Sequence, residues 1–374
     1  MKGKPRLFIK RLFIILNVIA AIIYGLACVA PYLNPIRWWW IAFLGLGFAG
    51  ILGTLILFIF FWLFTNPRYI AISLVAILLG WKSLAVFFAF HKSETFALKK
   101  EPGAIRVVHW NVARFVEWGR NNNAGSQKRL KMMEQLKAQK ADILCLVEFF
   151  HSTDSIYYDN LDYIQEKLGY PYHYFSWEGD GWKQWVGEVI FSRYPIVDSG
   201  IMHYPRPSMP EALIYADIAR GPDTFRVYTT HLQSFKFQPE DYRRIEQIKN
   251  REDNLLENSK SIFSKVKTAT SLRSRQADIV KAEIAKSPYP FILTGDLNDV
   301  PNSYTYFTIR GDLQDVFLQK SLGIGRTFNS LSPTLRIDYI LTTPQFKPLQ
   351  FNRIPRDLSD HYMLAADLKL KTSP

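Results

Sequence analysis

Six apolar stretches of this chain carry, at or near an end, side chains able to handle a cation or a proton. Asn111 closes "IRVVHWN", Glu148 closes "DILCLVE", His231 closes "RVYTTH", and Asp296 with Asn298 close "FILTGDLN". Asp338 interrupts "RIDYIL", and Asp360 with His361 introduce "YMLAADLKL". A strand alternates faces, so Asp296 and Asn298 would point the same way. Taken singly, each residue has a bland reading. Asp296 and Asn298 could form an Asx turn, Glu148 could cap a turn, His231 could be a satisfied core histidine, and Asp338 could pair with Arg336. Six such coincidences are more economically explained by one shared site at the edge of two sheets.

The chemistry of that set is coherent. Carboxylates and an amide with little sulfur suit a hard cation such as Mg²⁺, or Mn²⁺ in its place. Histidines beside carboxylates can polarise or protonate groups around a phosphate. Neither a serine-centred elbow nor a phosphate-binding glycine loop is present. The arrangement fits hydrolysis of a phosphate ester by metal-assisted attack of water.

The elements that must position these residues alternate between strand and helix. "SQKRLKMMEQLKAQK" has helical spacing at Leu130, Met133 and Leu136 and feeds the strand "ADILCLVEFF". "YYDNLDYIQEKLG" reads as a helix, "GEVIFSRYPI", "EALIYADIA" and "TFRVYTTHL" as strands, and "SLRSRQADIVKAEIAKS" as the helix before "FILTGDLN". Helices interleaved with short strands predict an α/β sandwich rather than an all-β domain. Two stretches could select a substrate. "YHYFSWEGDGWKQW" could stack bases, meet a membrane interface or simply pack. The charge-mixed segment 233–272 reads as a solvated helix rather than a nucleic-acid grip.

The front of the chain is of another kind. Of the 374 residues, 48% are hydrophobic, and the first ninety contain no Asp or Glu. Apolar runs at roughly Leu12 to Val29, Trp38 to Phe64 and Tyr69 to Phe90 each approach the ~20 residues of a membrane-spanning helix. Three transmembrane helices are expected, the first an uncleaved anchor because two more follow at once. The expected organisation is a membrane anchor over 1–90, a linker over 91–104 and a catalytic domain over 105–374. Five basic residues among the first eleven place the N-terminus in the cytoplasm. Three crossings then put the catalytic domain outside, although Lys92, Lys99 and Lys100 oppose this orientation. The net charge of +13 includes eight basic residues of the anchor, leaving about +5 for the rest, a mild bias towards anionic partners. Cys28 and Cys145 make neither a disulfide framework nor a metal set.

The ordered motifs "WNV", "LVE", "IFSRYPI", "THL", "GDLN", "IDYI" and "SDH" resemble those of the endonuclease/exonuclease/phosphatase superfamily, with its deoxyribonuclease I-like fold. The resemblance covers roughly Arg106 to Leu370. It implies a four-layer α/β sandwich of two mixed β-sheets flanked by helices, with the site at the strand ends. By position it implies that Asn111, Glu148 and Asp360 hold the metal and that His231 contacts the scissile phosphate. Asp296 and Asn298 would orient water and phosphate, and Asp338 would brace the acid/base residue His361. Two positions depart from the pattern: Ala113 stands where some nucleases have an acid, and Glu188 where members often have Asn. Together these readings make a membrane-anchored, metal-dependent phosphoesterase. Its substrate could be nucleic acid, a lipid headgroup or a small phosphate ester; membrane lipids surround it, and no obligate protein partner is inferred. The rival is a non-catalytic scaffold, which would not need every central acid and both histidines.

Overall fold

A computed structural model describes residues 3–92, 94–116, 123–205, 207, 211–250, 255–355 and 357–371. The chain forms two compact units: Met1–Phe88 with Asp299–Thr308, and Ala89–Asn298 with Ile309–Pro374.

The first unit holds helices α1 (Gly3–Val29), α2 (Pro35–Leu46), α3 (Phe48–Thr65), α4 (Ile70–Leu79) and α5 (Trp81–Phe87). Asn34 starts α2 by accepting the Ile36 amide at 2.9 Å, with Pro35 in the first turn where its missing N–H costs nothing. Among the described residues two helices, Leu7–Tyr32 and Phe48–Thr65, are long and apolar enough to cross a membrane. Pro67–Leu79 and Trp81–Phe87 would make a third span only as a pair bent by 69°. The single helices expected over Trp38–Phe64 and Tyr69–Phe90 are therefore both broken. Glycines make the breaks: Gly47 and Gly80 leave helical ψ, and a Cβ at Gly80 would sit 2.5 Å from the Tyr24 ring. Lys82, the lone charge of that run, lies exposed just past the bend. Inside the unit Ser73 donates to Asn17 at 2.8 Å, both fully buried, so neither hydroxyl nor amide oxygen is left unpaired. Asn302 joins the same unit by donating to the Ala27 carbonyl at 2.9 Å.

The second unit contains β1 (Ala89–Phe90), β2 (Ile105–Asn111), β3 (Ile143–Ser152), β4 (Tyr172–Phe175), β5 (Glu178–Gly181), β6 (Gln184–Ser192), β7 (Ile196–His203) and β8 (Ala212–Arg220). It continues with β9 (Asp223–His231), β10 (Phe291–Asp296), β11 (Gln314–Asp315), β12 (Leu322–Gly323), β13 (Asp338–Thr342), β14 (Phe346–Ile354) and β15 (Met363–Leu370). One sheet runs β11-β13-β10-β9-β8-β7 and the other β14-β15-β2-β3-β6-β4, with β5 paired to β6. Both are mixed, since β9–β10 and β2–β3 are parallel and their other pairs antiparallel. The α/β sandwich of two mixed sheets expected from the sequence is what forms.

Side-chain alternation decides where each core lies. Ile105, Val107, Cys145 and Ile190 of one sheet meet Ile214, Phe225, Val227, Ile292 and Ile340 of the other in the layer between them. Their next-door neighbours, Val108, Trp110, Leu144 and Phe191, turn to the opposite face, into the layer to which α6 (Asn123–Ala138) supplies Met132, Met133 and Leu136. Segment 233–272 contributes helix Pro239–Asn250 and the front of helix Leu255–Ile284, in agreement with the helical reading of its charge pattern. "YYDNLDYIQEKLG" departs from expectation: only Asn160–Asp162 is α-helical, and Tyr163–Lys167 widens into a π-turn. "YHYFSWEGDGWKQW" is a hairpin of β4, β5 and β6 in which Trp182 is exposed.

Candidate active site

The between-sheet layer changes character at one end. Counting by twos from its apolar members leads from Ile105 and Val107 to His109 and Asn111, and from Phe225 and Val227 through Thr229 to His231. The same count leads from Ile292 through Thr294 to Asp296, and back from Ile340 to Asp338. Period-two geometry thus delivers these side chains to one place without any special loop. Gly295 lets β10 come close to β9, because a Cβ there would meet the Thr230 carbonyl oxygen at 2.6 Å.

Asn111 is buried, and its Nδ2 donates to Glu148 Oε1 at 3.0 Å and to Asp296 Oδ2 at 3.1 Å. Its Oδ1 accepts the Ala113 amide at 3.0 Å. Glu148 reaches this point through a β-bulge: Val147 and Glu148 together oppose Glu188, and Glu148 takes φ +49°. Asn298 also sits at positive φ, +51°. Left-handed backbone at a residue with a Cβ costs about 1 kcal/mol or more, so two such residues at one site are held by their surroundings. Asp296 Oδ1 accepts the Asn298 amide at 2.8 Å, and Asn298 Nδ2 donates to the Leu232 carbonyl at 2.9 Å. The Asn298 amide lies 3.0 Å from His231 Nε2, which is 3.6 Å from Asp296 and 3.8 Å from Glu148.

His361 stands across Asp296. Its Nδ1 is 2.9 Å from Asp338 Oδ2, and its Nε2 is 3.6 Å from Asp296 Oδ2. Burial works against charge on this imidazole, but Asp338 and Asp296 outweigh it and hold the group well above its ordinary range. Burial likewise pushes Asp338 up, but His361 and His109 more than reverse it, leaving the carboxyl well below the usual range. Asp296 is raised by burial, which the neighbouring histidines only partly offset. Arg336 pairs with Asp315 at 2.6 Å, which removes the bland surface pairing for Asp338. His109, which the sequence reading passed over inside an apolar run, lies 3.3 Å from Asp338 Oδ1, so Asp338 is flanked by two imidazoles.

Asp296, Asp338 and His361 offer ligand atoms within 4.8 Å of one another. Glu148 and Asn111 adjoin that group through Asp296. Asp360 stands at its exposed rim, taking the Ser359 hydroxyl at 3.2 Å. The side chains that converge are carboxylates, amides and histidines, and among the described residues the ion pairs of the site are made by histidines. Such a hard, anionic set fits a divalent cation of the Mg²⁺ type.

The sequence profile of the Endonuclease/Exonuclease/phosphatase family matches residues 108–361. A second profile, "Domain of unknown function (DUF8431)", matches residues 10–87. No curated protein matches the chain. Among solved structures, humanized D. rerio TDP2 superposes with a TM-score of 0.51 at 16% identity, covering 71% of this chain and 99% of that one. An endonuclease/exonuclease/phosphatase from Beutenbergia cavernae gives 0.49 at 20% identity, with 73% of each chain covered. The human Nocturnin catalytic domain gives 0.49 at 16%, covering 72% and 94%.

Proposed function

This chain belongs to the endonuclease/exonuclease/phosphatase family, and we propose that it is a membrane-anchored hydrolase of phosphate esters that depends on a divalent cation. One observation carries the reading: Asn111, Glu148, His231, Asp296, Asn298, Asp338 and His361 meet at the polar end of the between-sheet layer. In this reading Asn111, Glu148 and Asp360 hold Mg²⁺ or Mn²⁺, and Asp296 lies next to them. When bound, the ion supplies positive charge to a phosphoryl oxygen and to the water that attacks it. His231 faces the phosphate, positioned by Asn298. Asp296, pinned by the Asn298 amide, orients the attacking water. His361 handles a proton or phosphoryl charge at Nε2, while Asp338 fixes its tautomer through Nδ1.

The anchor reading rests on helices Leu7–Tyr32 and Phe48–Thr65 and the bent pair that follows them. With a basic N-terminus on the cytoplasmic side, an odd number of crossings puts the catalytic domain outside the cytoplasm. The test is turnover by the full-length detergent-purified protein. Nucleic acid, phospholipid headgroups and soluble mono- and diesters are each offered with Mg²⁺, Mn²⁺ or EDTA. Hydrolysis of at least one class with metal, and none with EDTA, is expected. Full activity in EDTA would overturn the metal assignment, and silence across all classes the enzyme itself.

A further inference from the structure

Beside the bend at Gly80 the helical unit holds a groove that the hydrolytic site does not use. It encloses about 780 Å³ between α1 and the pair α4 and α5. Its walls include Val18, Ile22, Ile72 and Val75, and its polar groups, Tyr24, Cys28, Ser83 and Lys82, gather beside Gly80. Helices α1 and α4 run side by side in the same direction. Lys10 Nζ lies 5.1 Å from the centre of the Tyr69 ring, Ser73 donates to Asn17, and a Cβ at Gly80 would meet Tyr24 at 2.5 Å and the Cys28 sulfur at 2.6 Å. From Lys10 to Cys28 the helix rises about 27 Å, at about 1.5 Å per residue, close to the ~30 Å hydrocarbon core of a bilayer. Lys82, level with Cys28, therefore stands at the border of that core rather than at its middle, and the 69° bend turns α5 aside there. Trp81, 53% exposed, marks the same border. Lys82 is exposed, and among the described residues of this unit no acid is set against it. Asp299, the acid that joins the unit from afar, is taken by the Val300 amide at 3.0 Å and the Thr305 hydroxyl at 2.8 Å.

We propose that this groove is a binding site for one anionic phospholipid, its acyl chain laid between α1 and α4 and its phosphate paired with Lys82. The inference rests on the membrane-anchor reading and adds a lipid site to it. Basic pockets between spanning helices attract anionic headgroups, and the attraction is strongest near the membrane surface. An acyl chain covers the apolar walls without needing hydrogen bonds, which suits helices whose backbone is bonded internally. A zwitterionic headgroup would bring its own cation to Lys82 and lose most of the attraction. A free phosphate would leave the walls uncovered. Gly25 helps keep the groove open: it belongs to the lining, and a Cβ there would meet nothing within 4 Å. Charge at one end and hydrocarbon along the rest match the two parts of such a lipid.

The test offers full-length protein, purified in mild detergent, equal amounts of phosphatidylglycerol and phosphatidylethanolamine with the same acyl chains. Native mass spectrometry reads what is retained. A single phosphatidylglycerol per chain is expected, favoured over phosphatidylethanolamine by about fivefold, the effect of one lysine near a membrane surface. Lys82→Gln should erase the preference and Lys82→Arg should keep it. Arg37→Gln removes a cation just past the same end of α1 but outside the groove, and should leave the preference intact. Gly25→Leu puts a side chain into the groove and should reduce retention of both lipids. Equal retention of the two headgroups by the wild type overturns the inference. So does a preference that survives Lys82→Gln, one lost equally in Arg37→Gln, or undiminished binding in Gly25→Leu. Release of the chain from membranes by alkaline carbonate without detergent defeats the anchor reading, and the lipid site with it. A chain that resists release yet retains no lipid defeats the lipid site alone.

Discussion

Asp338 holds the Nδ1 edge of His361 at 2.9 Å while the opposite nitrogen faces Asp296 at 3.6 Å. One carboxylate thus fixes the ring and the other shares its working edge. If the pair acts as a unit, His361→Ala should lose about 10²–10⁴-fold in kcat. Asp338→Asn should approach that loss, because an amide can select the wrong tautomer. The double variant should be little worse than the worse single. Turnover of the three proteins at saturating metal checks this; near-normal Asp338→Asn, or losses that multiply, would separate the two residues.

Glu148 accepts the Asn111 amide from a bulge, and its side chain remains 37% exposed. Glu148→Gln keeps shape and hydrogen bonding but removes charge from the proposed cation site. Metal affinity, read by titration calorimetry, should weaken by at least the roughly tenfold that even outer partners of a metal cost. The melting temperature in EDTA should stay close to that of the wild type. Unchanged metal affinity would move the cation elsewhere.

The Glu188 carboxyl, buried on β6, makes stability depend on pH. Its folded value of about 8 lies above the ordinary 4.5, so between those limits the folded protein keeps a proton that the unfolded chain has released. This contribution to stability is complete below the unfolded value and is lost as pH rises through the folded one. Glu188→Gln removes the dependence. Its melting temperature should exceed that of the wild type at about pH 9, and the advantage should shrink or reverse by about pH 5. An equal gap at both ends would show that Glu188 does not titrate this way.

Topology is open to direct assay. A reporter joined at Pro374 that is active only outside the cytoplasm should light up, and one active only inside should not, if three crossings follow a cytoplasmic N-terminus. The reverse pattern would mean that the bent pair Pro67–Leu79 and Trp81–Phe87 enters and leaves on one side.

Much of the site was legible because alternation and strand ends are written in residue order. Asp296 and Asn298 announce themselves after "FILTG", and Asp338 inside "RIDYIL". His109 was not, because a histidine among valines and tryptophan looks like core until Asp338 is brought beside it from 229 residues away. Glu211, buried just before β8, gave no signal either, since the pairing of β8 with β9 carries it towards His231. The breaks at Gly47 and Gly80 escaped for another reason: hydropathy scarcely registers a glycine, whereas helix geometry does. Strand β14 hid behind Pro348 and a register shift, which blur its period.

Because the same face of each strand is oily at one end and ionic at the other, local stability should vary along a single strand. In β10 Ile292 is sealed between apolar neighbours, whereas Asp296 sits among ionisable side chains beside the left-handed backbone of Asn298. Amide exchange should therefore run as a gradient, slow at the oily end and fast at the ionic end of β9, β10 and β13 alike. The sheets would then breathe like a hinged book, open at the fore-edge where the chemistry is and shut at the spine.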